Sequence, residues 1–105
     1  MRFLPLLFLC LFAFSACKKN NNTQAKSTVY TPNCSGTKSF KNDVLPILNS
    51  SCNSCHSFNT YQSASSIASS IRSDVANGSM PQNSSLSNAQ KDAILCWIDN
   101  GAPNN

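Results

Sequence analysis

The sequence predicts a small all-α domain of about three helices. Three segments repeat apolar residues at intervals of three and four, no stretch alternates apolar and polar with period two, and the last two segments stop at Asn77-Gly78 and Asn100-Gly101. With 105 residues there is room for one such domain. It is assigned to residues 37–105, behind an export signal (1–16) and a flexible tether (17–36).

The signal is read from its three parts. Met1-Arg2 gives a brief positive start, Phe3 to Phe14 is apolar except for Pro5, and Ser15-Ala16 are small. The run is too short and wrongly flanked to span a membrane. Phe14-Ser15-Ala16-Cys17 resembles a bacterial lipoprotein box, with Phe14 standing where most boxes have Leu. That resemblance implies cleavage before Cys17 and lipidation of its thiol; the alternative is ordinary secretion with Cys17 a spare thiol. Each buried acyl methylene contributes about 0.8 kcal/mol, so several chains on Cys17 would hold the protein durably on a bilayer. Cys10 is discarded with the signal. From Lys18 to about Ser35 the chain is polar and patternless, with no apolar face to bury, and reads as a tether. Lys18-Lys19 reads as solvated rather than as a lipid-binding cluster.

Phe40, Val44, Leu45 and Leu48 share one side of a first helix, expected from about Phe40 to Asn49 and capped by Ser39 or Thr37. Pro46 removes a backbone donor, so either the helix starts near Asp43 or it bends at the proline. The second helix is expected from Tyr61 to Ala76, with Ala64, Ile67, Ala68, Ile71 and Val75 on one face and serines on the other. Serine is a middling helix former, so packing has to hold this segment. The third is expected from Asn88 to Asn100. Ser87-Asn88-Ala89-Gln90 has the form of a capping box, and Ala93, Ile94, Trp97 and Ile98 make the apolar stripe.

Between the first two helices lies Cys52-Asn53-Ser54-Cys55-His56, the attachment signature of c-type haem. Two thiols at this spacing reach two vinyl groups on one porphyrin edge, and the adjacent imidazole swings beneath the ring to bind iron. A zinc site would need two more ligands, yet His56 is the only histidine and there is no second C-x-x-C. A thioredoxin-like redox pair would need a surrounding βαβ pattern, which is absent. A domain of roughly 70 residues is also near the lower limit of what a protein core alone stabilises, and a buried haem would supply apolar surface.

Met80, in Ser79-Met80-Pro81 before the last helix, offers a soft thioether suited to the sixth coordination position of such an iron. Its other reading is a gap-filling core residue. Met1, the second methionine, leaves with the signal.

On these positions the chain resembles the small monohaem c-type cytochromes, class I-like domains of bacterial lipoprotein type, over about Phe40 to Asn104. The motifs are Asp43-Val44-Leu45-Pro46-Ile47-Leu48, the C-x-x-C-H run, Met80-Pro81, and Trp97-Ile98 followed by Gly101-Ala102-Pro103. The resemblance implies a cytochrome c-like fold around one covalent haem c, with crossing terminal helices that bring Phe40 against Trp97. The loop from His56 to Met80 is short beside that of mitochondrial cytochromes, which implies an exposed haem edge. Cys34 precedes the first helix and Cys96 lies in the last, the elements that family packs together, so a Cys34–Cys96 bridge is expected in an oxidising compartment; two free thiols is the alternative.

The function implied is one-electron transfer without bond making, hence an electron carrier and no enzyme. It would be exported and lipid-anchored through Cys17 to a bacterial membrane, facing the periplasm or the cell exterior, and would serve redox partner proteins. A gas-binding or sensing haem module is the alternative from another class, and a haem subunit of a larger redox enzyme is a third. Asp43, Asp74, Asp92 and Asp99 are scattered singly and read as solvated surface groups. Eight basic residues against four acidic give a formal charge of +4, and charged residues are only 11% of the chain. That excess is too small and dispersed for nucleic-acid binding, and steering toward a partner should be weak.

Overall fold

The computed structural model describes residues 28–105. The expected signal, the Cys17 lipidation position and the first part of the tether lie outside the described residues. Among the described residues the fold is all-helical, with no strand. A wide helical turn at Phe40–Val44 leads into α1 (Leu45–Ser51), followed by α2 (Tyr61–Ser65), α3 (Ala68–Asn77) and α4 (Asn88–Asp99).

The first helix resolves its proline by changing its winding. Ser39 caps the start, its hydroxyl accepting from the Asn42 N–H, and Asp43 Oδ2 accepts the Ser39 N–H at 2.7 Å. The N–H groups of Val44 and Leu45 then reach back five residues, to Ser39 and Phe40. The α-helical stretch proper is α1, and Pro46 sits in its first turn, where its missing N–H costs least. The helix runs to Ser51, two residues past the expected end.

Where one helix was expected over Tyr61–Ala76, the structure has two, so the domain has four helices and not three. The break is at Ser66-Ile67, where Ile67 leaves helical geometry (φ −123°, ψ 24°). Serine hydroxyls account for it: Ser66 Oγ bonds the Ser63 carbonyl at 3.1 Å, and Ser63 Oγ bonds the Thr60 carbonyl at 2.9 Å. Such back-bonding competes with the backbone ladder. The α2 segment is started by a capping box between Thr60 and Ser63. The stop of α3 at Gly78 falls where expected; its φ of +81° is the left-handed cap that glycine adopts without a Cβ clash. The Ser87/Gln90 capping box opens α4, which ends one residue short of Asn100.

The core joins the wide turn, α1, α3 and α4. Trp97, Leu48, Ile94, Leu95 and Val44 are its largest fully buried side chains. Phe40 packs on Trp97 with ring centroids 5.3 Å apart, and Tyr61 meets both edge-on. Each polar tip is satisfied: Trp97 Nε1 donates to Pro103 O and the Tyr61 hydroxyl to Ala102 O, both at 2.9 Å. Asn105 then clasps the first turn, accepting from the backbone N–H groups of Phe40 and Lys41 and from the Ser39 hydroxyl.

The expected tether does not extend to residue 36. From Tyr30 the chain lies on the fold: the Tyr30 N–H donates to Ala76 O at 2.8 Å, and its hydroxyl donates to Asp92 Oδ1 at 2.9 Å. Asp92 also accepts the Asn33 N–H, and a Cys34–Cys96 disulfide fastens the arm to α4. Polar composition hid this because one tyrosine and one cysteine do the anchoring. The acidic residues are likewise not merely solvated. Asp43 caps, Asp92 holds the arm, Asp99 pairs bidentately with Arg72, and Asp74 bonds the loop after α3.

Candidate functional site

The Cys52–His56 run follows α1 without a break in hydrogen bonding. The N–H groups of Cys52 and Asn53 reach Leu48 O, and those of Cys55 and His56 reach Cys52 O, so the five residues form a compact turn. Asn53 pins it at both ends: its Nδ2 donates to Asn49 Oδ1 at 2.7 Å, and its Oδ1 accepts the Phe58 N–H at 2.8 Å. Phe58 is thereby set against His56, the rings stacked 4.8 Å apart and 12° from parallel.

This turn forms one rim of a cleft of about 380 Å³, within the range of small-molecule and cofactor pockets. Leu48, Ile71 and Val75, all core residues, make the floor, with Phe58 and Ile67 on the walls. The other rim is the loop after α3, through Met80 and Pro81. Cys52, Cys55, His56 and Met80 therefore line a single cleft, from two loops separated in sequence by α2 and α3. Cys55 and His56 are exposed, whereas Cys52 and Met80 are half-buried. Cys34 and Cys96 are bonded to each other outside this cleft, leaving Cys52 and Cys55 as the free thiols among the described residues.

Burial pushes the Cys52 thiol up from its ordinary value. A reactive redox cysteine needs the opposite, a thiolate favoured by a nearby cation or helix N-terminus. No Lys or Arg lines the cleft, and Cys52 lies at the C-terminal end of α1.

Sequence reasoning missed three contributors. Phe58 and Asn53 act through local geometry that residue type does not announce. Asp74 left a trace: it falls on the stripe of Ile71 and Val75, where a lone charge on an inward face is a signal of its own.

No family model, curated protein or solved structure matches this chain. The chemistry of the site thus rests on its own residues. They fit a haem c: the cleft is apolar-floored, its free thiols keep the C-x-x-C spacing, an imidazole follows them, and a thioether comes from the opposite rim. Among the described residues no group of three or more His, Cys, Asp or Glu is arranged to hold a bare metal ion, and no helix is long and apolar enough to cross a membrane.

Proposed function

We propose that this chain is a monohaem c-type cytochrome that carries single electrons between redox partners outside the cytoplasm, tethered to a bacterial membrane by lipid on Cys17. The observation that carries the reading is the convergence of Cys52, Cys55, His56 and Met80 on one apolar-floored cleft. In it Cys52 and Cys55 would anchor a haem c covalently, and His56 and Met80 would bind its iron. A haem c bound there supplies reversible one-electron chemistry at iron.

The chain's own part is to hold these groups still and keep water away. Leu48, Ile71 and Val75 give the cleft a dry floor, Asn53 fixes the turn that carries the thiols, and Phe58 stacks on the His56 imidazole. Together the Met80 thioether and the His56 imidazole would favour the reduced state and give a higher potential than two imidazoles. With His56 and Met80 both engaged, such a site would leave no open position for substrate, which favours a carrier over an enzyme or gas sensor.

The test is co-expression with haem-maturation machinery. The haem should resist acid-acetone extraction in the wild type and be lost in Cys52→Ala/Cys55→Ala. The reduced protein should bind carbon monoxide slowly, and Met80→Ala should bind it rapidly and show a lower potential. Haem that extracts completely from the wild type would refute covalent attachment, and rapid carbon monoxide binding unchanged by Met80→Ala would favour the sensing alternative.

A further inference from the structure

Met80 stands two residues beyond the cap of α3, yet its backbone is folded back on that helix. The Met80 N–H donates to Asp74 O at 3.1 Å. The preceding Ser79 is held twice: its N–H donates to Asn77 Oδ1 at 2.8 Å, and its hydroxyl lies 3.2 Å from Asp74 Oδ1 and 3.4 Å from Asp74 O. Asp74 thus bonds both loop residues, with its side chain as well as its carbonyl.

Its location is otherwise unfavourable. Asp74 lies near the end of α3, where a negative charge opposes the helix dipole, and it lines a cleft whose other lining residues include no Lys or Arg. Neither helix stability nor ion pairing explains a carboxylate there. What it does contribute is a fixed acceptor for the loop. Because Ile71 and Val75 root the same helix in the core, a loop tied to Asp74 is referenced to the cleft floor itself.

We infer that Asp74 is the positioning residue for Met80, acting through Ser79 to hold the thioether at the cleft. This rests on Met80 being an axial ligand, and it assigns to α3 the task of keeping that ligand bound. Loss of the carboxylate leaves the Met80 backbone bond and the Ser79 N–H bond to Asn77 in place but removes the side-chain acceptor of the Ser79 hydroxyl, so the loop opens more often.

The experiment uses the haem-loaded full chain as wild type, Asp74→Ala, Asp74→Asn, Ser79→Ala and Met80→Ala. The sulfur-to-ferric-iron charge-transfer absorption reports Met80 ligation in the oxidised protein, and carbon monoxide binding reports ligand opening in the reduced one. Losing one charge-assisted hydrogen bond should raise the open fraction about tenfold. Asp74→Ala and Ser79→Ala should therefore bind carbon monoxide about tenfold faster with a weakened absorption. Asp74→Asn keeps an acceptor oxygen and should restore both toward wild type. Should Asp74→Ala fail to fold, the exposed Ser79 carries the test alone. If Met80→Ala abolishes the absorption while Asp74→Ala and Ser79→Ala match wild type in both readouts, the positioning role is wrong and the ligand assignment stands. If Met80→Ala leaves the absorption unchanged, the ligand assignment falls and the inference with it.

Discussion

Replacing Cys34 and Cys96 together by alanine should cost the domain a large part of its stability. The bridge joins residues 62 apart, across most of the described fold. In the chain-entropy model a loop of that length removes about 14 cal/mol/K from the unfolded ensemble, or about 4 kcal/mol at 25 °C. A domain of this size typically has a total of about 5 to 10 kcal/mol. The corresponding drop in melting temperature is on the order of 20 °C. Urea unfolding of the haem-loaded protein, followed by far-ultraviolet circular dichroism, measures this directly. The denaturant slope should rise as well, because an unlinked unfolded chain exposes more surface. A loss below about 1 kcal/mol with an unchanged slope would refute the reasoning. It would mean that the unbridged unfolded chain retains structure that already keeps residues 34 and 96 close.

Truncating the cleft floor with Leu48→Ala should destabilise by about 2 to 5 kcal/mol, read by urea melts, because the side chain is fully buried. Trp97→Phe removes the bond to Pro103 O and part of the aromatic cluster, and should cost about 1 to 3 kcal/mol in the same assay. The Arg72 guanidinium holds the Asp99 carboxyl below the ordinary carboxylate range, so the pair stabilises above the unfolded value, and that contribution fades as pH falls through the lower folded value. Both side chains are 38% exposed, which limits the effect to about 0.5 kcal/mol. Asp99→Asn should therefore differ from wild type at neutral pH and converge with it in acid; a difference that stays constant would show the effect is not ionic.

The parts of the fold legible in the sequence are those decided within a few residues. Ser87 and Gln90 form their capping box from local chemistry, and Gly78 ends α3 because its conformation suits no other residue as well. The Pro46 region was legible only as two options, since the choice of a wide turn depends on how Phe40 and Val44 reach the core. The break at Ile67 was not legible: its apolar spacing fits one long helix, and the competing serine hydroxyls act through side-chain geometry. The Tyr30 arm escaped because its partners, Ala76 and Asp92, are distant in sequence. At the site, residue type and spacing singled out Cys52, Cys55, His56 and Met80. The supports around them, Asn53, Phe58 and Asp74, work by hydrogen bonds and stacking that carry no motif.

The helices here are 5 to 12 residues long, and in isolation such lengths are marginal in water. What steadies them is contact between parts of the chain that leave the ribosome far apart in time: Tyr30 with Asp92, Phe40 with Trp97, Tyr61 with Ala102. Contacts of that separation form only after a long loop has closed, so they come late. Until Trp97 has emerged, the wide turn and α1 have little to dock against. The core beneath Cys52, Cys55 and His56 therefore closes only when the last helix arrives, while Cys55 and His56 stay at the surface even then.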